Sequence, residues 1–335
     1  MRRKDLSLWV AVFLALAFAV AFAGGCGEDK GTSAPADDIG ASPSAAAELT
    51  PQEIVDQSQL AMQDVNAMSF TADVKLDIQG DPAKMTDPTA KQLLAEPIAL
   101  HMEGSSSTEP QAVDMDMTIS LMGQDIAMGV LADGKKAWVE YENAWYAVPQ
   151  ENMKALESGD SGALPNEQLA DLGLDPQEWN VEWELAGTET VDGAEVYHLT
   201  AKPDAEKIAG DVMKALEDPQ LYEKLGDPET AQQMKALKGQ NEKALKELQK
   251  ALENVTVDLW VETGSMYMRK AVIVVDMNTK GMEDAEGLDA MNIEVALTMA
   301  DFDEPVEVKA PAKAKDFEAL MNDLVGGMMG GGMSL

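Results

Sequence analysis

From residue 70 to residue 79 apolar and polar side chains alternate without a break. Phe70, Ala72, Val74, Leu76 and Ile78 are interleaved with Thr71, Asp73, Lys75, Asp77 and Gln79. Successive side chains of an extended chain point to opposite faces, so this segment reads as a strand with one apolar face. The pattern returns in Val113, Met115, Met117, Ile119 and Leu121, in Ile126, Met128 and Val130, in Val255, Val257, Leu259 and Val261, and in Ile293, Val295, Leu297 and Met299. Further strands are expected at 137–141, 145–148, 181–185, 195–201 and 268–277, with Val306 and Val308 following the last. Asp133-Gly134 and Asp192-Gly193 are hairpin signals between such runs. About ten or eleven strands result, mostly joined by short turns, which predicts an antiparallel meander.

Helical signals flank and interrupt this pattern. Thr50, Pro51 and Glu53 form a capping residue, a first-turn proline and a capping-box acid, predicting a helix to about Ala67. Residues 152–172 read as short helices in a loop. A longer helical insertion is expected over about 204–254, with Met234, Leu237, Leu245, Leu248 and Leu252 on one face. Residues 81–96 form an irregular insertion. Residues 319–335, rich in Gly and Met, are expected to be a disordered tail.

The N-terminus carries a separate message. Arg2, Arg3 and Lys4 precede an apolar run over 6–23 broken only by Ser7, and then Gly24 and Gly25. Cys26, the one cysteine of the chain, follows directly. It can form no internal disulfide. Residues 1–25 are expected to be an export signal, and residues 26–49, poor in large apolar side chains, a flexible tether. The competing possibility for residues 6–23 is a permanent membrane anchor, since about 18 apolar residues can span a bilayer. With 60 acidic against 25 basic residues the formal charge is −35, which disfavours nucleic acid as a partner.

The stretch Phe22-Ala23-Gly24-Gly25-Cys26 resembles the bacterial lipobox, in which diacylglycerol is attached to the cysteine thiol. Val65-Asn66-Ala67-Met68-Ser69-Phe70, Asp133-Gly134-Lys135-Lys136-Ala137-Trp138-Val139 with Trp145-Tyr146-Ala147-Val148, and the run 301–311 are similar to the helix-to-strand junction, central hairpin and closing strand of the LppX/LprA/LprF/LprG lipoprotein family. The resemblance covers about residues 50–318. It implies a LolA-like half-open barrel, mainly antiparallel β with helices over the concave face, enclosing an apolar cavity for acyl chains. It also implies a protein lipid-anchored through Cys26 on the extracytoplasmic face of the membrane, palmitate being an expected acyl group, with an acylated lipid or glycolipid as ligand. A monomer is expected.

Residues expected to line the cavity are Val74, Leu76, Met115, Met117, Ile119, Met128, Val257, Leu259, Ile273, Val295 and Leu297, which occupy the apolar phase of their strands. The 22 methionines stand out. Unbranched, polarizable side chains adapt to a ligand of variable shape, but they also simply fill cores. The two histidines, His101 and His198, have no partner nearby in sequence and are poor material for a catalytic or zinc site. No hydrolase, metalloprotease, phosphate-loop or dinucleotide motif is present, so no enzyme, cofactor or metal is expected. Asp114 and Asp116 are expected to face solvent. Three functions compete: a lipid carrier of the cell envelope, a structural or sensory lipoprotein with a filled core, and a surface hydrolase.

Overall fold

The computed structural model describes residues 49–85, 88–121, 123–150, 181–204, 207–208, 210–211, 252–280 and 287–320. The expected export signal, Cys26, the expected tether before Leu49, the expected loop helices, most of the expected 204–254 insertion and residues 321–335 therefore lie outside the described residues.

Helix α1 (Pro51–Gln63) starts where its sequence says it should. The Thr50 side chain accepts from the Glu53 backbone N–H at 3.3 Å, and Glu53 Oε2 accepts from the Thr50 N–H at 2.8 Å. The Thr50 N–H and, at 2.8 Å, the Thr50 hydroxyl both donate to the Glu53 carboxylate and lower its pKa. The helix stops at Gln63, four residues short of expectation, because Ala67 already belongs to the first strand. A second helix, α2 (Pro88–Ala95), occupies part of the stretch read as irregular.

Twelve strands of the described chain form one sheet: β1 (Ala67–Gly80), β2 (Ile98–Thr108), β3 (Gln111–Leu121), β4 (Gln124–Ala132), β5 (Ala137–Tyr141), β6 (Ala144–Ala147), β7 (Trp183–Val191), β8 (Ala194–Ala201), β9 (Leu252–Glu262), β10 (Met268–Asn278), β11 (Leu288–Ala300) and β12 (Lys315–Asp316). Their order is β12-β6-β5-β4-β3-β2-β1-β11-β10-β9-β8-β7, antiparallel throughout except for the short β12·β6 pair. Two meanders therefore meet in the middle. One runs outward from β1 to β6, the other inward from β7 to β11, and β1 pairs with β11 over most of its length. The turns follow local chemistry. Asp192 and Gly193 both have positive φ, 48° and 84°, as the tight hairpin between β7 and β8 requires. Asp133 Oδ1 accepts from the N–H groups of Lys135 and Lys136, which closes the β4–β5 turn and pulls the Asp133 pKa down.

The sheet is unclosed, with β7 and β12 at its ends, and it is curled. Gly104 marks a close approach of two of its strands. Its register partners are Phe70 on β1 and Met115 on β3, so a side chain there would point to the apolar face. A Cβ at Gly104 would lie 2.3 Å from the Asp114 carbonyl oxygen and 2.7 Å from Met115 Cα. Facing Cβ atoms of a regular sheet stand about 4.5–5.5 Å apart, so β2 and β3 close on each other here and only glycine fits. The helices sit on this same side. Ile54 and Val55 of α1 are buried in the core with the apolar-face residues, and Leu93 and Leu94 of α2 pack against it. The expected class, an antiparallel half-open barrel with helices over one face, is the architecture observed.

Several boundaries differ from expectation. Val306 and Val308 are not in a strand, and the run 301–311 is not a closing strand. Asp301 and Asp303 have positive φ and Pro305 and Pro311 carry no N–H, so the segment cannot extend a ladder. Instead Asp303 accepts from the Asn66 N–H at 2.8 Å and donates its own N–H to the Ala67 carbonyl at 2.7 Å, pinning the loop to the start of β1. Leu252 and Asn254, expected at the end of the helical insertion, lie in β9 opposite Met277 and Asp276. Residues 207–208 and 210–211 are helical, and Ile208 joins the core. At the other end, residues 317–320 are helical and Leu320 is buried, so ordered chain continues past the start assigned to the tail.

Candidate functional site

Register assembles the apolar face. Ile126, Ile119, Leu100, Val74, Val295, Ile273, Val257, Ala201 and Trp183 are successive cross-strand partners from β4 to β7. Paired residues share a face, and so do residues two apart on one strand. All eleven residues expected to line a cavity therefore stand on one side of the sheet: Val74, Leu76, Met115, Met117, Ile119, Met128, Val257, Leu259, Ile273, Val295 and Leu297.

Burial divides this face in two. Leu76, Val257, Leu259, Ile273 and Val295 are each 4% exposed or less, and they form the core with Ile54, Val55 and Leu199. Val74 and Leu297 pack against that core and are partly buried. Met115, Met117, Ile119 and Met128 on β3 and β4 are partly exposed and do not belong to it. Here Met102, Met117 and Met128 are direct cross-strand neighbours, and Met115 stands two residues along β3 beside the side-chain gap at Gly104. One half of the face is a packed interior, the other a methionine-lined surface of the curl. Leu100 and Met102 on β2 complete that surface. Sequence reading missed them because Gly104 and the serines at 105–107 obscure the strand, although Ile98, Leu100 and Met102 keep its phase.

The opposite face is mostly polar over β1, β2 and β3, with Leu131 and Trp138 buried next to it on β4 and β5, and both histidines are on it. His101 Nδ1 lies 2.7 Å from Asp73 Oδ1 on β1, with Glu103 Oε2 3.9 Å from Nε2. His198 Nε2 lies 2.8 Å from Asp258 Oδ1, and its ring stacks on Trp260 with centroids 4.4 Å apart and planes 12° from parallel. Lys270 Nζ covers the Trp260 ring at 4.7 Å, and the indole N–H donates to Glu189. These partners are far away in the chain, which is why local sequence offered none. Among the described residues no group of three or more His, Cys, Asp or Glu could hold a metal ion. Asp114 and Asp116 are exposed on this polar face, as expected. Partial desolvation, then repulsion from Asp116, raises the Asp114 pKa.

The hydrogen bond to Asp73, reinforced by the charges of Asp73 and Glu103, raises the His101 pKa. Its contribution to stability is therefore fully present below the ordinary imidazole value of about 6.5 and is lost as pH rises through the higher folded value. In a proton NMR titration Asp73→Asn is expected to lower the His101 midpoint. An unchanged midpoint would show that the pair does not form in solution.

Residues 50–184 match a family of unknown function, DUF6612. No curated protein matches the sequence. Solved structures similar to this chain include the lipoprotein LppX of Mycobacterium tuberculosis, at 15% identity over 76% of this chain and 96% of that one, with a TM-score of 0.35. LprF from Mycobacterium bovis aligns at 13% identity over 78% and 97% of the two chains, TM-score 0.37. A putative outer membrane lipoprotein-sorting protein domain from Vibrio parahaemolyticus aligns at 11% identity over 76% and 93%, TM-score 0.20.

Proposed function

We propose that this chain is a lipid-anchored protein of the cell envelope, held on the extracytoplasmic side through Cys26, that binds acylated lipids or glycolipids and carries them there without catalysing a reaction. The observation that supports it is the partly exposed half of a continuous apolar face: Met102, Met115, Met117, Ile119 and Met128, set in the curl of the sheet and outside the packed core. An acyl chain on such a surface gains about 0.8 kcal/mol for each CH₂ removed from water and needs no directional bond. Methionine suits the task because its flexible thioether follows chains of different shape.

A second reading, a structural or sensory lipoprotein with a filled core, draws on the other half, where Leu259 and Ile273 are buried. Two tryptophan substitutions separate the readings. Leu259→Trp enters the filled half and is expected to destabilise by about 1–3 kcal/mol through overpacking. Met117→Trp enters the ligand half, and its Tm should barely move while the lipid recovered with the purified protein, read by mass spectrometry, falls. Destabilisation of Met117→Trp equal to that of Leu259→Trp, with lipid content unchanged, would leave the filled-core reading in place.

A further inference from the structure

Eight methionines of the apolar face fall into two groups of different exposure, while Met68 on β1 is partly buried and packs against the core. Met268, Met277, Met291 and Met299 are each 5% exposed or less within the core. Met102, Met115, Met117 and Met128 are partly exposed, and register sets Met102, Met117 and Met128 side by side on β2, β3 and β4. Thioether oxidation depends on access, and its product is a polar sulfoxide. Grouped thioethers in an otherwise apolar row would turn the same patch polar together.

We infer that Met102, Met115, Met117 and Met128 form an oxidative modification site, at which peroxide converts thioethers to sulfoxides and so expels the apolar ligand from the β2–β4 half of the face. In each step a sulfur lone pair attacks one oxygen of hydrogen peroxide and the O–O bond breaks. The transferred oxygen gives up its proton to the departing hydroxide, leaving one sulfoxide and one water. Sulfur is oxidised by two electrons and the peroxide is reduced. The sulfoxide oxygen is a strong hydrogen-bond acceptor, and apart from one another the methionines face Ala72, Gly104 and Val130, which bring no side-chain donor; only Met128 has one opposite it, the Tyr141 hydroxyl. An acyl chain covering it would leave that acceptor unpaired, so water displaces the chain. The expulsion rests on the acyl-chain reading of the face, whereas the order of oxidation does not.

The test treats the purified full chain with graded hydrogen peroxide. Peptide mass spectrometry follows sulfoxide at each methionine, and cis-parinaric acid fluorescence follows occupancy of the face. Met102, Met115, Met117 and Met128 are expected to oxidise roughly tenfold or more faster than Met268, Met277, Met291 and Met299, and probe affinity should fall by a similar factor. A protein with Met102, Met115, Met117 and Met128 all replaced by leucine, a swap that keeps volume and polarity, should bind the probe and keep it after peroxide. Equal oxidation rates in the two groups would overturn the site. Equal loss of probe by the leucine variant on treatment would overturn the expulsion step. An untreated wild-type protein that takes no probe sinks the acyl-chain reading and the expulsion with it, while the oxidation order still decides the modification site.

Discussion

Ile273→Ala is expected to lower unfolding free energy by about 2–5 kcal/mol, as large-to-small changes at filled core positions do. Ile273 is 2% exposed, with Val295 opposite it on β11 and Val257 opposite it on β9. Both neighbours are themselves buried and β-branched, so neither can swing into the space left behind. A domain of ordinary stability holds only about 5–15 kcal/mol in total, so this one change removes a large share of it. Denaturant unfolding of wild type and variant would measure the difference. A loss below about 1 kcal/mol would mean that this half of the face collapses easily and is not the packed interior the burial indicates.

The second large effect is on location. Cys26→Ser is expected to move the protein from the membrane fraction to the medium and to abolish incorporation of labelled palmitate, because the serine hydroxyl cannot replace the thiol in the acylation. The lipid is asked to do all the anchoring: the chain's charge of −35 gives it no attraction to an anionic surface, and two acyl chains suffice where one holds only marginally. If Cys26→Ser stays with the membrane at the wild-type level, the apolar run over 6–23 is itself the anchor and the proposed lipidation is wrong.

How much of this was legible in the sequence depends on the range of the interactions involved. Alternation located β1, β3, β9, β10 and β11 to within a few residues and assigned every one of the eleven face residues to the correct side, because a strand's period is a property of the strand alone. The capping box at Thr50 and the Asp192-Gly193 turn were equally local. What escaped was set by distant partners. The division of the apolar face into a packed and a partly exposed half depends on where α1 lands, and nothing in the phase of Met117 distinguishes it from Leu259. The carboxylates beside His101 and His198 come from neighbouring strands. The prolines that keep 301–311 from extending a ladder were legible, but its attachment to Asn66 and Ala67, more than two hundred residues earlier, was not.

That attachment, together with the β1·β11 ladder, has a consequence for how such a protein is made. The Asn66–Asp303 bond spans 237 residues, and β1 has only β2 beside it until β11 arrives. Closing a loop of that length is entropically unfavourable and slow to be rewarded, so the central pairing forms late. Until then β1 is an open edge whose unpaired N–H and C=O groups can template association with another chain. The residues that would guard it are already in place: Asp73, Lys75 and Asp77 alternate along that edge, charges that an approaching foreign strand would have to accommodate. A chain synthesised from its N-terminus is thus half-assembled for most of its emergence, and its order of synthesis makes the last long strand the one that seals the first.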